Sequence, residues 1–249
     1  MPPKHQVALR GIEHRYPSGT LALSGIDLDV AAGAFVCLVG PSGCGKSTLL
    51  RIMSGLVAPS TGTVEVATGR GEIGFVFQEP TLMPWSNVAA NVALPLDLTG
   101  APRQQSGPRV DEALRGVGLG AFGQAYPHEL SGGMRMRASI ARAMVTAPRL
   151  LLMDEPFAAL DEFTRFKLND DLLALWQANR WTVVFVTHSI REAVFLGQRL
   201  IVMTPGPGRI AADLDVRLPA ARDAALRLSH AFADECARVT AAFGQGLAA

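Results

Sequence analysis

At 249 residues and a formal net charge of +1, the chain can bury a core, as one large or two small domains of ~100–200 residues each. That charge offers no broad electrostatic attraction to nucleic acid or anionic lipid. Hydrophobic residues reach 49%, yet no apolar run approaches the ~20 residues of a membrane span.

The opening Met1-Pro2-Pro3-Lys4-His5-Gln6 has no apolar core of a secretory signal, so a cytoplasmic location is expected. Residues 7–16 and 23–30 alternate apolar and polar side chains, with Pro17-Ser18-Gly19 between them, which predicts an antiparallel flap. Residues 35–39 are continuously apolar, as in a buried parallel strand, and 47–53 reads as a helix stopped by Gly55. Between them, Gly40-Pro41-Ser42-Gly43-Cys44-Gly45-Lys46-Ser47, followed by Thr48, fits the phosphate-loop pattern G-x-x-x-x-G-K-S/T at every constrained position. Glycines there let backbone N–H groups turn toward a polyphosphate at a helix N-terminus, where the helix dipole favours anions. Lys46 is expected to reach the β and γ phosphates and the Ser47 hydroxyl to ligate Mg²⁺, so binding of ATP or GTP is the first expectation.

The three cysteines are odd in number and unpaired by spacing, which suits a reducing compartment without a metal framework. Cys37 falls in the buried strand, and Cys236 on an apolar stripe of Leu228, Phe232, Cys236, Val239 and Phe243 along a closing helix. Cys44, inside the phosphate loop, reads as the one thiol exposed to chemistry, a bystander rather than a nucleophile.

Residues 63–67 and 73–77 read as two more strands, the second delivering Gln78. From Glu79 to about residue 130 the breakers Pro80, Pro84, Pro95, Gly100, Pro102, Gly107 and Pro108 suggest an insert of short helices, clearest at 109–117. Beyond it, Leu130-Ser131-Gly132-Gly133-Met134-Arg135 precedes a helix at 136–144, and Ser131, Gly132 and Gly133 offer a hydroxyl and bare backbone donors at a helix start. A buried strand at 150–154 ends in Asp154-Glu155, where α/β sheets hold their ligands. Asp154 suits Mg²⁺, and Glu155 can orient or deprotonate an attacking water. An amphipathic helix at 163–177, a buried strand at 182–187, strands at 200–203 and 210–216, and a helix from about 220 to 243 complete the chain. The core is therefore expected to be α/β. The whole chain, 1–249, reads as one domain, with core segments 1–78 and 131–220, an insert at 79–130 and a closing helical segment at 220–249.

One chain with a phosphate loop and a second glycine-rich helix start, separated by a helical insert, resembles the ATP-binding cassette (ABC) family, whose signature is usually Leu-Ser-Gly-Gly-Gln. The resemblance implies the ABC ATPase form of the phosphate-loop NTPase fold, a mostly parallel core sheet with an antiparallel β flap and a helical insert, and it implies ATP hydrolysis. It implies a homodimer with ATP at the interface, in which Ser131 and Gly133 face the γ-phosphate held by the partner's phosphate loop. Gln78 resembles the loop glutamine that touches Mg²⁺ and the γ-phosphate, and His188 resembles the switch histidine. Asp161, in Ala159-Leu160-Asp161, resembles the dimer-facing loop, and Tyr16 sits where the family places an aromatic ring beneath adenine. Met134 in place of the signature glutamine and Ala158 in place of serine or glycine depart from the pattern.

The run from Gln78 to Val88, with Leu82, Met83 and Trp85, followed by Asn91-Val92, resembles cassettes of nitrate, sulfonate and taurine importers, which are similar to those serving thiamine-precursor pyrimidines. Pro207-Gly208-Arg209-Ile210 resembles another stretch of that branch. Leu82, Met83 and Trp85 then read as a groove for a helix of a separate membrane permease, although Trp85 could instead plug a small core in the insert. The resemblance implies a peripheral subunit on the cytoplasmic face of the inner membrane, with a periplasmic or lipid-anchored solute-binding protein in the complex. The alternatives are a non-transport cassette ATPase acting on nucleic acid or ribosomes, and a phosphate-loop kinase. The first finds no basic extension here, and the basic series Arg135, Arg137, Arg142 suits a solvated face or an interface with the insert equally well. The kinase leaves Leu130 to Gly133 unexplained.

Overall fold

In the computed structural model, which describes residues 5–219 and 221–248, the chain runs β1 (His5–Arg15), β2 (Leu21–Ala31), β3 (Phe35–Val39), α1 (Lys46–Met53), β4 (Thr61–Val66) and β5 (Ile73–Val76). It continues with α2 (Val88–Leu98), α3 (Arg103–Gly116), α4 (Gly132–Met144), β6 (Leu150–Asp154), α5 (Glu162–Asn179) and β7 (Thr182–Thr187). It ends with α6 (Ile190–Leu196), β8 (Arg199–Met203), β9 (Ile210–Asp215) and α7 (His230–Ala248). The opening Met1 to Lys4, on which part of the leader reading rests, and Ala220 lie outside the described residues. The fold is α/β, as expected, and it divides into two compact units: residues up to 70 with those from 180 onward, and Gly71–Asn179.

In the first unit, β1 pairs antiparallel with β2 and with β4, giving the flap a third strand. The strands β3, β7 and β8 are parallel, with β3 between the other two, and β9 runs antiparallel along β8. Every residue of β3 and β7 is buried, which is why they read as unbroken apolar runs. In the second unit β5 and β6 pair in parallel, and helices α2 and α3 follow β5. Among the described residues, no helix is long and apolar enough to cross a membrane.

Four local expectations are corrected. Pro95 and Pro108 lie inside α2 and α3 instead of ending helices. A proline forfeits one helical hydrogen bond at ~3 kcal/mol or more, and here buried side chains offset it, Val88, Val92 and Leu96 in α2, and Val110 and Leu114 in α3. The helix expected from Met136 begins four residues earlier, at Gly132, because Ser131 caps it. α6 was not expected: at seven residues it is too short for a periodic signal. The closing helix starts at His230, and Leu228, assigned to its buried stripe, sits before it and is 91% exposed, while Phe232 and Val239 are buried.

Candidate functional site

In the first unit the parallel register sets Val39 opposite Thr187 and Val202, so Gly40 and His188 leave adjacent strands at the same end. Gly40 turns in a space with no room for a side chain: a Cβ would lie 2.7 Å from Cys44 Sγ and 3.2 Å from Met203 Cβ. Gly45 has φ +97° and would drive a Cβ to 2.6 Å from Leu23 Cδ2. α1 starts directly after it with no side-chain cap, the arrangement in which a helix N-terminus receives an anion. The loop also has a floor. Gly208 donates to Ala22 O at 2.9 Å, accepts from Ser24 N at 3.0 Å, and a Cβ on it would fall 2.0 Å from Cys44 O.

Lys46 is only 4% exposed, and its Nζ donates to Gly40 O at 2.9 Å and Pro41 O at 3.0 Å. The ammonium thus lies within the loop's own carbonyls, close to where a phosphate would sit. Ser47 is half-buried at the helix start and Thr48 is buried, its hydroxyl 2.7 Å from the Tyr16 hydroxyl. That bond and an edge contact with His14, with centroids 4.8 Å apart, fix the half-buried Tyr16 ring beside α1. Cys44 is fully buried, contrary to the exposed thiol expected, because its side chain fills the space under Gly40. Burial pushes its thiol above the ordinary range, against the opposing pull of Lys46. His188 is exposed at the end of β7.

In the second unit, Val76 pairs with Met153, so Gln78 and Glu155 each come two residues past a register pair, at the ends of neighbouring strands. Asp154 is buried, and Gln78 is exposed. Glu155 has φ +47°, a left-handed conformation that costs a non-glycine residue about 1–3 kcal/mol and is concentrated at functional sites. Ser131 caps α4, its Oγ accepting from Met134 N at 3.3 Å. Gly133 is required by close approach, since a Cβ would lie 2.8 Å from Thr164 Cγ2, while Gly132 has more room, 3.5 Å to Leu160. Asp161 accepts from Thr164 N at 2.9 Å at the start of α5, and that bond holds its carboxyl below the usual range.

The basic series on α4 is an interface with the insert. Arg137 donates to Val117 O and to Asp171, and Arg142 donates to Pro80 O at 2.9 Å and Thr81 O at 2.8 Å. The same loop is gripped from α2 by Asn91, fully buried: it accepts from Met83 N and donates to Met83 O, Ser86 O and Asn87 O. Trp85, at the loop's tip, is 76% exposed rather than plugging a core, and Leu82 and Met83 beside it are half-buried. Asn91 and Gly208 are supports whose roles the sequence did not disclose, whereas for Arg142 an interface with the insert was one of two readings. Asn91 and Gly208 were visible only as parts of family-like stretches.

The ABC transporter family model matches residues 23–158, a span that includes the phosphate loop, the Ser131 cap and the Asp154-Glu155 strand end. The chain belongs to the ABC transporter family. A putative ATP-binding protein of Brucella abortus is 47% identical over 235 residues, covering 92% of this chain and 90% of that one. The taurine import ATP-binding protein TauB of Rhizobium johnstonii is 45% identical, covering 81% of this chain and 79% of its own length. A dimeric ATP-binding cassette solved in a post-hydrolysis state with ADP and Pi superposes with TM-score 0.76 at 33% identity, covering 86% of this chain and all of that one. The ABC fold and ATPase activity expected from the motifs are therefore those of the family.

Proposed function

We propose that this single-domain chain is the ATP-hydrolysing subunit of an importer for a small solute of the sulfonate, taurine, nitrate or thiamine-precursor kind. The observation that carries the reading is the combination of ABC membership with high identity to a taurine import protein and to an aliphatic sulfonates import ATP-binding protein of Pseudomonas syringae, 46% identical over 212 residues. The exposed Trp85, held out by Asn91, supports a docking place for a permease helix beside Leu82 and Met83. The chain then works as a homodimer on the cytoplasmic face of the membrane, with permease subunits and a solute-binding protein.

The backbone of Gly40 to Thr48 binds the ATP phosphates, Lys46 neutralises the β and γ oxygens, and Tyr16 supports the adenine. Ser47, Gln78 and Asp154 are hard oxygen donors of the kind Mg²⁺ takes, a hydroxyl at a helix start, an exposed amide and a buried carboxylate at a strand end. When bound, the ion neutralises charge on the phosphates. Glu155, held in its strained turn, orients and deprotonates the attacking water, while His188 and Gln78 contact the γ-phosphate. Ser131, Gly132, Gly133 and Asp161 serve the ATP held by the second copy.

The test uses the chain purified with its membrane partner in lipid vesicles, with ATPase turnover measured as solute-loaded binding protein is added. Stimulation by a sulfonate, nitrate or a pyrimidine precursor supports the reading. Stimulation by nucleic acid or ribosomes, with none by any solute, overturns it.

A further inference from the structure

Ser189-Ile190-Arg191-Glu192 has the S-x-x-E form of a capping box, in which the glutamate carboxylate ordinarily returns to the N–H of the capping serine. Half of that box is present: Ser189 Oγ accepts from Glu192 N at 3.3 Å. The other half is diverted through Thr187. The Ser189 N–H donates to Thr187 Oγ1 at 3.0 Å, and the Thr187 hydroxyl donates to Glu192 Oε2 at 2.5 Å. The bonds therefore form a closed ring, Glu192 to Ser189 to Thr187 and back to Glu192. That ring spans His188 without using its side chain.

Thr187 and Glu192 are buried, at 2% and 7% exposure, whereas His188 between them is exposed. A buried carboxylate is costly, and capping alone does not require it, since Ser189 already caps α6. The ring does what a simple box would not: it ties the last residue of β7 to the first turn of α6, fixing the backbone on both sides of His188. The far end of α6 is also held, by Arg222, whose Nη1 donates to Val194 O, Phe195 O and Gly197 O. Rotation of α6 therefore has little freedom to relax a broken ring. Thr187 lies opposite Val39, so the ring stands at the strand end from which Gly40 opens the phosphate loop.

We propose that Thr187 and Glu192 are positioning residues for His188, holding its turn so that the imidazole presents to the γ-phosphate bound at the neighbouring loop. The proposal rests on the reading of His188 as a γ-phosphate contact. Both side chains are buried and are assigned support rather than contact. Both act by fixing where the histidine points, and misplacement of a catalytic contact by about 1 Å can cost ~10²-fold in rate.

The experiment compares Thr187→Val, Glu192→Ala and Glu192→Gln, each with and without His188→Ala, in the purified full chain. Thr187→Val and Glu192→Ala should lower kcat about 10- to 100-fold with KM for ATP changed by less than about twofold, and should speed hydrogen exchange at the Ser189 amide. Glu192→Gln, which keeps a carbonyl acceptor of the same reach, should restore most of kcat. In the His188→Ala background, Thr187→Val should cost nothing further. An equal loss in both backgrounds, or a rise in KM that matches the fall in kcat, would show a merely structural ring and overturn the proposal. If His188→Ala alone turns over like wild type, the γ-phosphate reading itself fails. Unchanged Ser189 exchange in Thr187→Val would overturn the positioning claim separately.

Discussion

The phosphate loop and the loop of residues 80–87 are both held tightly, but by opposite means. At the first, the glycine backbone packs directly on its neighbours: Gly40, Gly45 and Gly208 each occupy a place where a Cβ would meet atoms at 2.0–2.8 Å. At the second, two side chains from helices do the holding, Asn91 from α2 and Arg142 from α4, and the loop's apolar tip is turned outward. Steric confinement suits a site that must keep N–H groups aligned on a phosphate. Side-chain bracing suits a surface that must stay shaped while it is covered and uncovered by a partner. The two loops should therefore fail differently when perturbed.

The largest effect is expected at the chemistry served by the first design. Glu155→Gln should lower steady-state hydrolysis by about 10²–10⁴-fold, the range for losing a general base, with ATP affinity retained in a fluorescent-nucleotide titration. Near-normal turnover would remove Glu155 from that role. Lys46→Ala should instead abolish detectable nucleotide binding. Next comes the floor of the loop. Gly208→Ala sets a methyl against Cys44 O, and overpacking of this kind costs about 1–3 kcal/mol, which should weaken ATP affinity about 5- to 150-fold. Unaltered affinity would show that the loop can shift and that confinement does not set its geometry.

At the braced loop, Asn91→Ala should leave ATP affinity and basal turnover of the isolated chain within about twofold. It removes the partners of Met83 N–H and of three carbonyls on half-buried residues, at about 1–3 kcal/mol, so thermal unfolding should fall by several degrees, and recovery of a membrane partner should drop. A large loss of ATP affinity would erase the distinction between the loops. The smallest effect concerns Cys44. Its raised thiol pKa means less thiolate at a given pH, so iodoacetamide should label it more slowly at pH 8 in the folded chain than in urea, as read by mass spectrometry. Fast labelling in the folded chain would show that the loop opens to solvent.

The same contrast explains what is legible in the sequence. The phosphate loop, the buried strands and the strand-end acids were legible because each imposes a local residue requirement: glycine where no Cβ fits, unbroken apolar runs where both faces are covered. Asn91, Gly208 and the Thr187–Glu192 pair were not, because their partners lie elsewhere in the chain or across a turn. Pro95 and Pro108 misled because proline's local cost is plain in the sequence, while the burial of Val92 or Leu114 that offsets it is tertiary. Leu228 misled in the converse way, since a stripe with correct spacing continued beyond the true start of α7 at His230.

The most direct test of the central claim, that this ABC ATPase drives a membrane importer, is to identify what it binds when locked on ATP. The Glu155→Gln chain, tagged and purified from its native cells with Mg²⁺, ATP and mild detergent, should carry a polytopic membrane protein. That protein should be lost when Trp85→Ala is added, with ATP affinity unchanged. Recovery of ribosomal proteins or nucleic acid, with no membrane protein, would contradict the account.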